Sequence, residues 1–346
     1  MVIRRNCFKN LKNSYLFPEI SRRKNLFLEK NPEAKLISLG IGDTVLPFGP
    51  ILTKALTTAS IELGTEEGYI GYGDEQGMYE LREKIASEIY KNQISPDEIF
   101  ISDGAKCDIG RLQTLFGNDI RIGLQDPSYP VYIEGSILQG IDKITCIPCP
   151  FTYNFFPELS KIPPIDLLYI CSPNNPTGAV YTHEELQQLV SYAKSKKILI
   201  LFDGAYSSYI QDPALPRTIF EIDGAKEVAI EVNSFSKYAG FTGLRLGWSV
   251  IPRELAYEGG ESIWKDWKRL NATIFNGASI LSQKGGIAVF KKEGMDEIQF
   301  RINYYMKNAR ELKSAFVSLG YQVFGGENAP YLWVQVPKQN SWDIFQ

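Results

Sequence analysis

Histidine is almost missing: His183 is the only one in 346 residues. One histidine cannot build a two-histidine metal site, the H-E-x-x-H spacing is absent, and any serine or cysteine triad would have to use this one ring. Its setting, THEELQQL, reads as a helix start instead. Thr182 and Glu185 form a capping box ahead of apolar Leu186 and Leu189. Cysteine is also sparse. Cys7, Cys107, Cys146, Cys149 and Cys171 are an odd number, which suits buried thiols in a reducing compartment, and the C-x-x-C from Cys146 to Cys149 is isolated. No apolar run approaches the roughly 18 residues of a membrane span. The start, MVIRRNCFKNLKNSYLF, has neither a continuous apolar stretch nor a small-residue cleavage site, so the expected location is cytoplasmic. Neither sign of charge dominates: 37 basic against 40 acidic residues leave a net charge of -3. The basic residues are scattered, so the expected partners are small molecules and not nucleic acid.

With 44% hydrophobic and 22% charged residues, the chain can bury a large core. Short β-rich runs recur at EIFIS (98–102), IRIGLQ (120–125), KITCIP (143–148), DLLYIC (166–171), ILILFD (198–203), EVAIEVNSF (227–235) and LGWSVI (246–251). They are nearly continuous apolar strands separated by helical patterns such as EELQQLVSYAKSKK. That combination predicts an α/β domain whose mainly parallel sheet is buried on both faces. Residues 41–290 are expected to form this large domain. Residues 1–40 are expected to be an arm that also joins a smaller α+β domain, completed by 291–346, where a helical pattern from about 295 leads into strands YQVF and YLWVQVP.

Ligands of open α/β sheets collect beyond the carboxyl ends of the strands, and here those ends are polar: SDGAKCD, QDPSYP, CSPNNPTG, FDGAY and NSFSKY. Ser102-Asp103-Gly104-Ala105-Lys106 precedes a helical pattern, where glycine lets an anion approach free N–H groups. With Ser234, Ser236 and the planar fork of Arg245, it makes a candidate phosphate site. Asp203 follows a run of five apolar residues and is either a turn-forming cap or a buried carboxylate with a cationic partner. Lys237, in SFSKYAGFTGLRLG, is the remaining candidate nucleophile. A phosphate, a cationic ring nitrogen and an amine-reactive lysine together describe pyridoxal phosphate.

At PNNPTG (173–178), DGAY (203–206) and SFSKYAGFTGLRLG (234–247) the sequence resembles the fold-type I aminotransferases that depend on pyridoxal 5'-phosphate. The spacings are 28 residues from Asn175 to Asp203, 34 to Lys237 and 8 to Arg245. The resemblance implies that Lys237 bonds the cofactor aldehyde and moves the proton at the substrate α-carbon, and that Asp203 pairs with the ring nitrogen. It implies that Asn175 and Tyr206 bond the phenolic oxygen, that Tyr129 stacks on the ring, and that Ala105, Lys106, Ser234, Ser236 and Arg245 hold the phosphate. Tyr72 would reach the phosphate from a second subunit, which implies a homodimer with shared sites. Lys237, Asp203 and Tyr129 are the expected catalytic residues.

SYLFPEI (14–20), LGIGDT (39–44) and GYGDEQG (71–77) extend the likeness to members whose substrate has an amino acid centre at each end. They imply amino transfer between glutamate and tetrahydrodipicolinate, giving LL-2,6-diaminopimelate and 2-oxoglutarate. Tyr15 and Gly42 would close over the near carboxylate. Glu75, Lys106 and Asn276 would contact the far end, Glu75 and Asn276 from across the dimer, and Tyr129 and Asn175 would also line the substrate. One feature departs from the family. The arginine that holds the substrate α-carboxylate in the last strands has no counterpart before the closing SWDIFQ, and Arg301 and Arg310 lie in a helical pattern. The expectation is a truncated sequence that binds cofactor better than it turns over substrate. Rival readings are another aminotransferase or a C–S lyase on the same scaffold, and a nonenzymatic ligand sensor, for which the first 40 residues show no DNA-binding module. GYGDEQG misses the G-x-G-x-x-G spacing and follows no strand pattern, so a dinucleotide-binding oxidoreductase is weaker still.

Overall fold

A computed structural model describes residues 2–11, 15–40, 42–336 and 340–345; Met1, residues 12–14, Ile41 at the expected domain boundary, residues 337–339 at the end of the YLWVQVP run, and Gln346 lie outside the described residues. Seven strands form the main sheet: β1 (Ile99–Ser102), β2 (Ile122–Asp126), β3 (Ile144–Pro148), β4 (Leu167–Cys171), β5 (Leu199–Asp203), β6 (Ala229–Ser234) and β7 (Gly247–Val250). Their order is β1-β7-β6-β5-β4-β2-β3. Only β7 runs antiparallel to its neighbours. This is the expected mainly parallel α/β sheet. Its inner strands read as nearly unbroken apolar runs because both faces are covered there. In β5, Ile200 and Phe202 enter one core while Leu201 enters the other.

The helix His183–Lys196 begins as its sequence requires. Thr182 Oγ1 accepts from the Glu185 N–H at 3.1 Å, and Glu185 Oε2 accepts from the Thr182 N–H at 2.8 Å. His183 is half exposed there, 3.8 Å from Glu221 Oε2. None of the five cysteines is in a disulfide, and they are not uniformly buried. Cys149 and Cys171 are buried, Cys7 and Cys107 are half-buried, and Cys146 is exposed. The expectation of buried thiols fails at Cys146 because β3 is the edge of the sheet and leaves a face open. No helix among the described residues is long and apolar enough to cross a membrane.

The helix Lys292–Ser318 is followed by the antiparallel hairpin β8 (Gln322–Gly325) and β9 (Leu332–Gln335). Three side chains one turn apart on that helix fasten the main chain of residues 45–51. Glu297 Oε1 accepts from the Ile51 N–H at 2.8 Å. Arg301 donates to the carbonyls of Leu46, at 2.7 Å, and Pro47. Tyr305 Oη accepts from the Val45 and Leu46 N–H groups at 2.8 and 3.1 Å. Residues four apart share a helix face, so the three act as one ladder. Arg301 is buried in this role and Arg310 is exposed, which leaves neither at the strand ends. At the other terminus, residues 5–7 dock on the helix Val131–Gln139 through Arg5 and Cys7, and Arg23 of the helix Leu16–Lys30 lies 4.2 Å over the Trp342 ring.

Candidate active site

The polar strand ends converge as expected. After β1, Gly104 (φ 123°) precedes the helix Ala105–Phe116; the Cys107 and Asp108 N–H groups bond the Gly104 carbonyl, while those of Ala105 and Lys106 have no carbonyl one turn back to bond. A Cβ on Gly104 would stand 3.3 Å from the Arg245 guanidinium carbon, so glycine is what lets that cation lie against the helix start. Arg245 Nη1 donates to Ser236 Oγ at 3.1 Å and to the Thr242 carbonyl at 3.2 Å. Ser234 Oγ accepts from the Ser236 N–H at 3.0 Å. Arg245 holds φ 60°, a left-handed conformation that costs energy for a non-glycine residue and is concentrated at functional positions. The resulting cradle combines free N–H groups, hydroxyls and a guanidinium, the donor set of a phosphate site.

Asp203, at the end of β5, is buried. Its Oδ2 accepts from the Tyr132 hydroxyl at 2.7 Å and its Oδ1 from the Ala205 N–H at 3.0 Å. It is therefore both a turn cap and a buried carboxylate, and burial pushes its pKa up. Among the described residues no lysine or arginine forms an ion pair with it. Lys237, half-buried just after β6, donates from Nζ to the Gly42 carbonyl. Burial holds its amine below the usual lysine range, Asp43 opposes that and Arg245 adds to it. Tyr206 is buried, with its hydroxyl bonded to that of Tyr331. Asn175 is half-buried beside Asn174, whose Nδ2 donates to the Pro127 carbonyl at 3.1 Å and to Thr177 Oγ1 at 2.9 Å, bracing the turn. Tyr129 stands edge-on to Tyr132 with ring centroids 5.8 Å apart, and burial pushes its hydroxyl pKa up.

Tyr15 lies near the helix start, with Lys106 Nζ 5.4 Å above its ring. Gly42 covers Tyr206: a Cβ there would stand 3.0 Å from the Tyr206 hydroxyl. Tyr72 is 88% exposed, and Glu75 and Asn276 are exposed as well. The last two belong to touching loops, since a Cβ on Gly277 would meet the Asp74 carbonyl oxygen at 3.2 Å. Among the described residues no hydrogen bond joins any of these three to Lys237, whose Nζ bonds the Gly42 carbonyl. Tyr132, Tyr305 and Tyr331 were not singled out from the sequence. Only Tyr132 left a signal, as the second tyrosine of SYPVY.

The sequence profile of the family described as Aminotransferase class I and II matches residues 34–346. The chain belongs to the class I and II aminotransferase family. It is similar to the LL-diaminopimelate aminotransferase of Protochlamydia amoebophila, at 50% identity over 357 residues that cover 100% of this chain and 87% of that one. It is also similar to the chloroplastic LL-diaminopimelate aminotransferase of Arabidopsis thaliana, at 48% identity over 359 residues covering 99% and 77%. Among solved structures, L,L-Diaminopimelate aminotransferase from Chlamydomonas reinhardtii matches with a TM-score of 0.95 at 48% identity, over 99% of this chain and 87% of that one.

As a class I and II aminotransferase of fold type I, the protein is a pyridoxal-phosphate-dependent enzyme acting on small amino and keto acids. The residues fit that cofactor. A buried carboxylate without a cationic partner suits a protonated ring nitrogen, and the helix-start cradle suits the phosphate. Burial lowers the proton affinity of Lys237, which favours the neutral amine that reacts with an aldehyde.

Proposed function

We propose that this aminotransferase moves an amino group between glutamate/2-oxoglutarate and tetrahydrodipicolinate/LL-2,6-diaminopimelate, in lysine and peptidoglycan precursor synthesis. The observation that carries the substrate reading is the near-full-length identity, at 50% and 48%, to bacterial and plant proteins named for that substrate. The adjoining loops of Glu75 and Asn276 agree with it, because a carboxylate is the group needed opposite a distal ammonium.

The proposed roles are those the family resemblance implies. When bound, pyridoxal phosphate supplies the electron sink for the α-carbon. Lys237 holds the cofactor and carries the α-proton. Asp203 keeps a positive charge on the ring nitrogen by opposite-charge stabilisation. Asn175 and Tyr206 bond the phenolic oxygen, and Tyr129 covers the ring face. Ala105, Lys106, Ser234, Ser236 and Arg245 hold the phosphate, and Tyr15 and Gly42 close over the near carboxylate. The reading includes a homodimer in which Tyr72, Glu75 and Asn276 serve the second site. Its support is the run of Tyr69 (70% exposed), Ile70 (41%) and Tyr72 (88%), an apolar patch of the kind that marks a protein interface. A large domain at 41–290, the arm at 1–40, the smaller domain at 291–346 and a cytoplasmic location, testable by cell fractionation, belong to the same proposal.

The test is a coupled assay with LL-diaminopimelate and 2-oxoglutarate beside meso-diaminopimelate, lysine and aspartate, with the products identified. Preference for the LL isomer supports the reading. Preference for any other donor, or elimination products, overturns the substrate and leaves the cofactor reading standing. Borohydride reduction is expected to trap the cofactor on Lys237, and Lys237→Ala to abolish the adduct.

A further inference from the structure

Tyr331 joins three segments that are far apart in sequence. It is half-buried immediately before β9, with its hydroxyl on that of Tyr206 and the two rings edge-on, centroids 4.9 Å apart. The same ring closes on the N-terminal loop, since a Cβ on Gly42 would stand 3.1 Å from Tyr331 Cζ. The Gly42 carbonyl in turn accepts from Lys237 Nζ.

Two glycines admit the hairpin to this position. Gly178 closes PNNPTG at φ 72°, and Gly325 ends β8 at φ 75°. A Cβ on Gly178 would be 2.9 Å from both Gly325 Cα and the Tyr331 carbonyl oxygen, and one on Gly325 would be 2.8 Å from the Thr177 carbonyl oxygen. The two main chains therefore touch directly, and no side chain fits between them. Lys313 ties the hairpin back to its helix by donating to the Gly325 carbonyl and to Glu327, each at 2.8 Å. The last glycine of PNNPTG thus serves as the seat of the hairpin that delivers Tyr331.

We propose that Tyr331 is a positioning residue that donates its hydroxyl proton to the Tyr206 oxygen and so turns the Tyr206 proton toward the cofactor's phenolic oxygen. A hydroxyl has one proton and two lone pairs, so within a bonded pair only the acceptor keeps its proton for a third group. Donation into Tyr206 also polarises its O–H and strengthens the bond it makes inward. The titratable groups facing the pair are Asp203, Cys171, Tyr209 and Tyr129, with Lys237 beyond Gly42. Burial raises both hydroxyls of the pair above the ordinary tyrosine value, so both protons are retained across the working pH range. The inference rests on the proposed placement of the cofactor phenolic oxygen at Tyr206.

The experiment is a spectrophotometric pH titration of the visible cofactor band in the holoenzyme, comparing wild type, Tyr331→Phe, Tyr206→Phe and the double variant. Loss of the donor leaves the phenolic oxygen less stabilised as an anion. Tyr331→Phe is expected to raise the midpoint by roughly half to one pH unit, Tyr206→Phe by more, and the double variant by no more than Tyr206→Phe alone. Incorporating 3-fluorotyrosine at 331, a stronger donor of nearly the same size, is expected to lower it and does not depend on Tyr331→Phe folding. An unshifted midpoint in both position-331 proteins, or additive shifts in the double variant, overturns the proposal, as does a lower melting temperature with looser cofactor at a constant midpoint. If the wild type binds no cofactor at Lys237, the proposed function falls with it; a normal wild-type band with no shift sinks this inference alone.

Discussion

Tyr132→Phe isolates one hydrogen bond in a setting that keeps everything else in place. The Tyr132 ring is buried and stacked on Tyr169, centroids 5.1 Å apart and planes at 22°, so phenylalanine preserves the packing. What disappears is the 2.7 Å donation to Asp203 Oδ2, one of two hydrogen bonds that oppose the desolvation of that carboxylate. A hydrogen bond to a charged group contributes about 1.5–3 kcal/mol, and one pH unit corresponds to about 1.4 kcal/mol. Losing the donor therefore raises the already elevated Asp203 pKa by roughly one to two units. The sign follows from the chemistry: Asp203 must be ionised to hold a positive ring nitrogen, and a higher pKa means that it is ionised only at higher pH. The acid limb of cofactor affinity is expected to move up by the same one to two units, while affinity on the alkaline side stays as in wild type. The assay titrates apoenzyme with pyridoxal phosphate at a series of pH values that runs through the acid limb, following the visible band. An acid limb that coincides with wild type, in a variant of unchanged melting temperature, refutes the coupling of Tyr132 to the cofactor through Asp203.

Asp203→Ala removes the counter-charge altogether and is expected to leave a weakly bound, chemically idle cofactor; near-normal turnover with ordinary absorbance contradicts this. Arg245→Lys replaces a planar fork by a point charge, and equilibrium dialysis of the apoenzyme is expected to show about tenfold weaker cofactor binding, roughly 1.4 kcal/mol. Tyr305→Phe deprives the Val45 and Leu46 N–H groups of their acceptor, so steady-state kinetics should show KM raised several-fold with the cofactor band unchanged. Glu231 is buried among Tyr90, Thr218, Asn233 and the Ile219 N–H, and burial pushes its pKa up to about 7. The folded group thus keeps its proton to higher pH than the unfolded chain does. Unfolding free energy is expected to fall by up to about 3 kcal/mol as pH rises from about 4.5 to about 7 and then to level off; denaturant melts across that range check it.

The seven strands were legible because each is an apolar run, buried on both faces except at the edge strand β3, and the observed ends lie close to the runs read from the sequence. The antiparallel direction of β7 was not, since an apolar run reports burial and carries no orientation. Lys237 and Asp203 were legible as polar residues placed where strands end, Arg245 as a planar fork suited to phosphate, and Asn175 through the PNNPTG resemblance. Tyr132, Tyr331 and Tyr305 were not, because each works through a partner 71, 125 or 260 residues away. A tyrosine amid apolar neighbours carries the same pattern whether its hydroxyl braces a carboxylate or faces water.

These long-range contacts also divide the site into two mechanical parts. The phosphate cradle, Asp203 and Lys237 all ride on strand ends of the main sheet. Gly42 and Tyr331 do not. Gly42 precedes the main chain that Glu297, Arg301 and Tyr305 fasten to the helix Lys292–Ser318, and Tyr331 belongs to the hairpin that Lys313 ties to the same helix. One helix therefore holds both residues that roof the Lys237–Tyr206 pair. A shift of that helix against the sheet would carry loop and hairpin together and leave the cofactor contacts on the sheet. Weakening the ladder should loosen substrate without loosening cofactor, and equal losses of both would show that the two parts do not move separately.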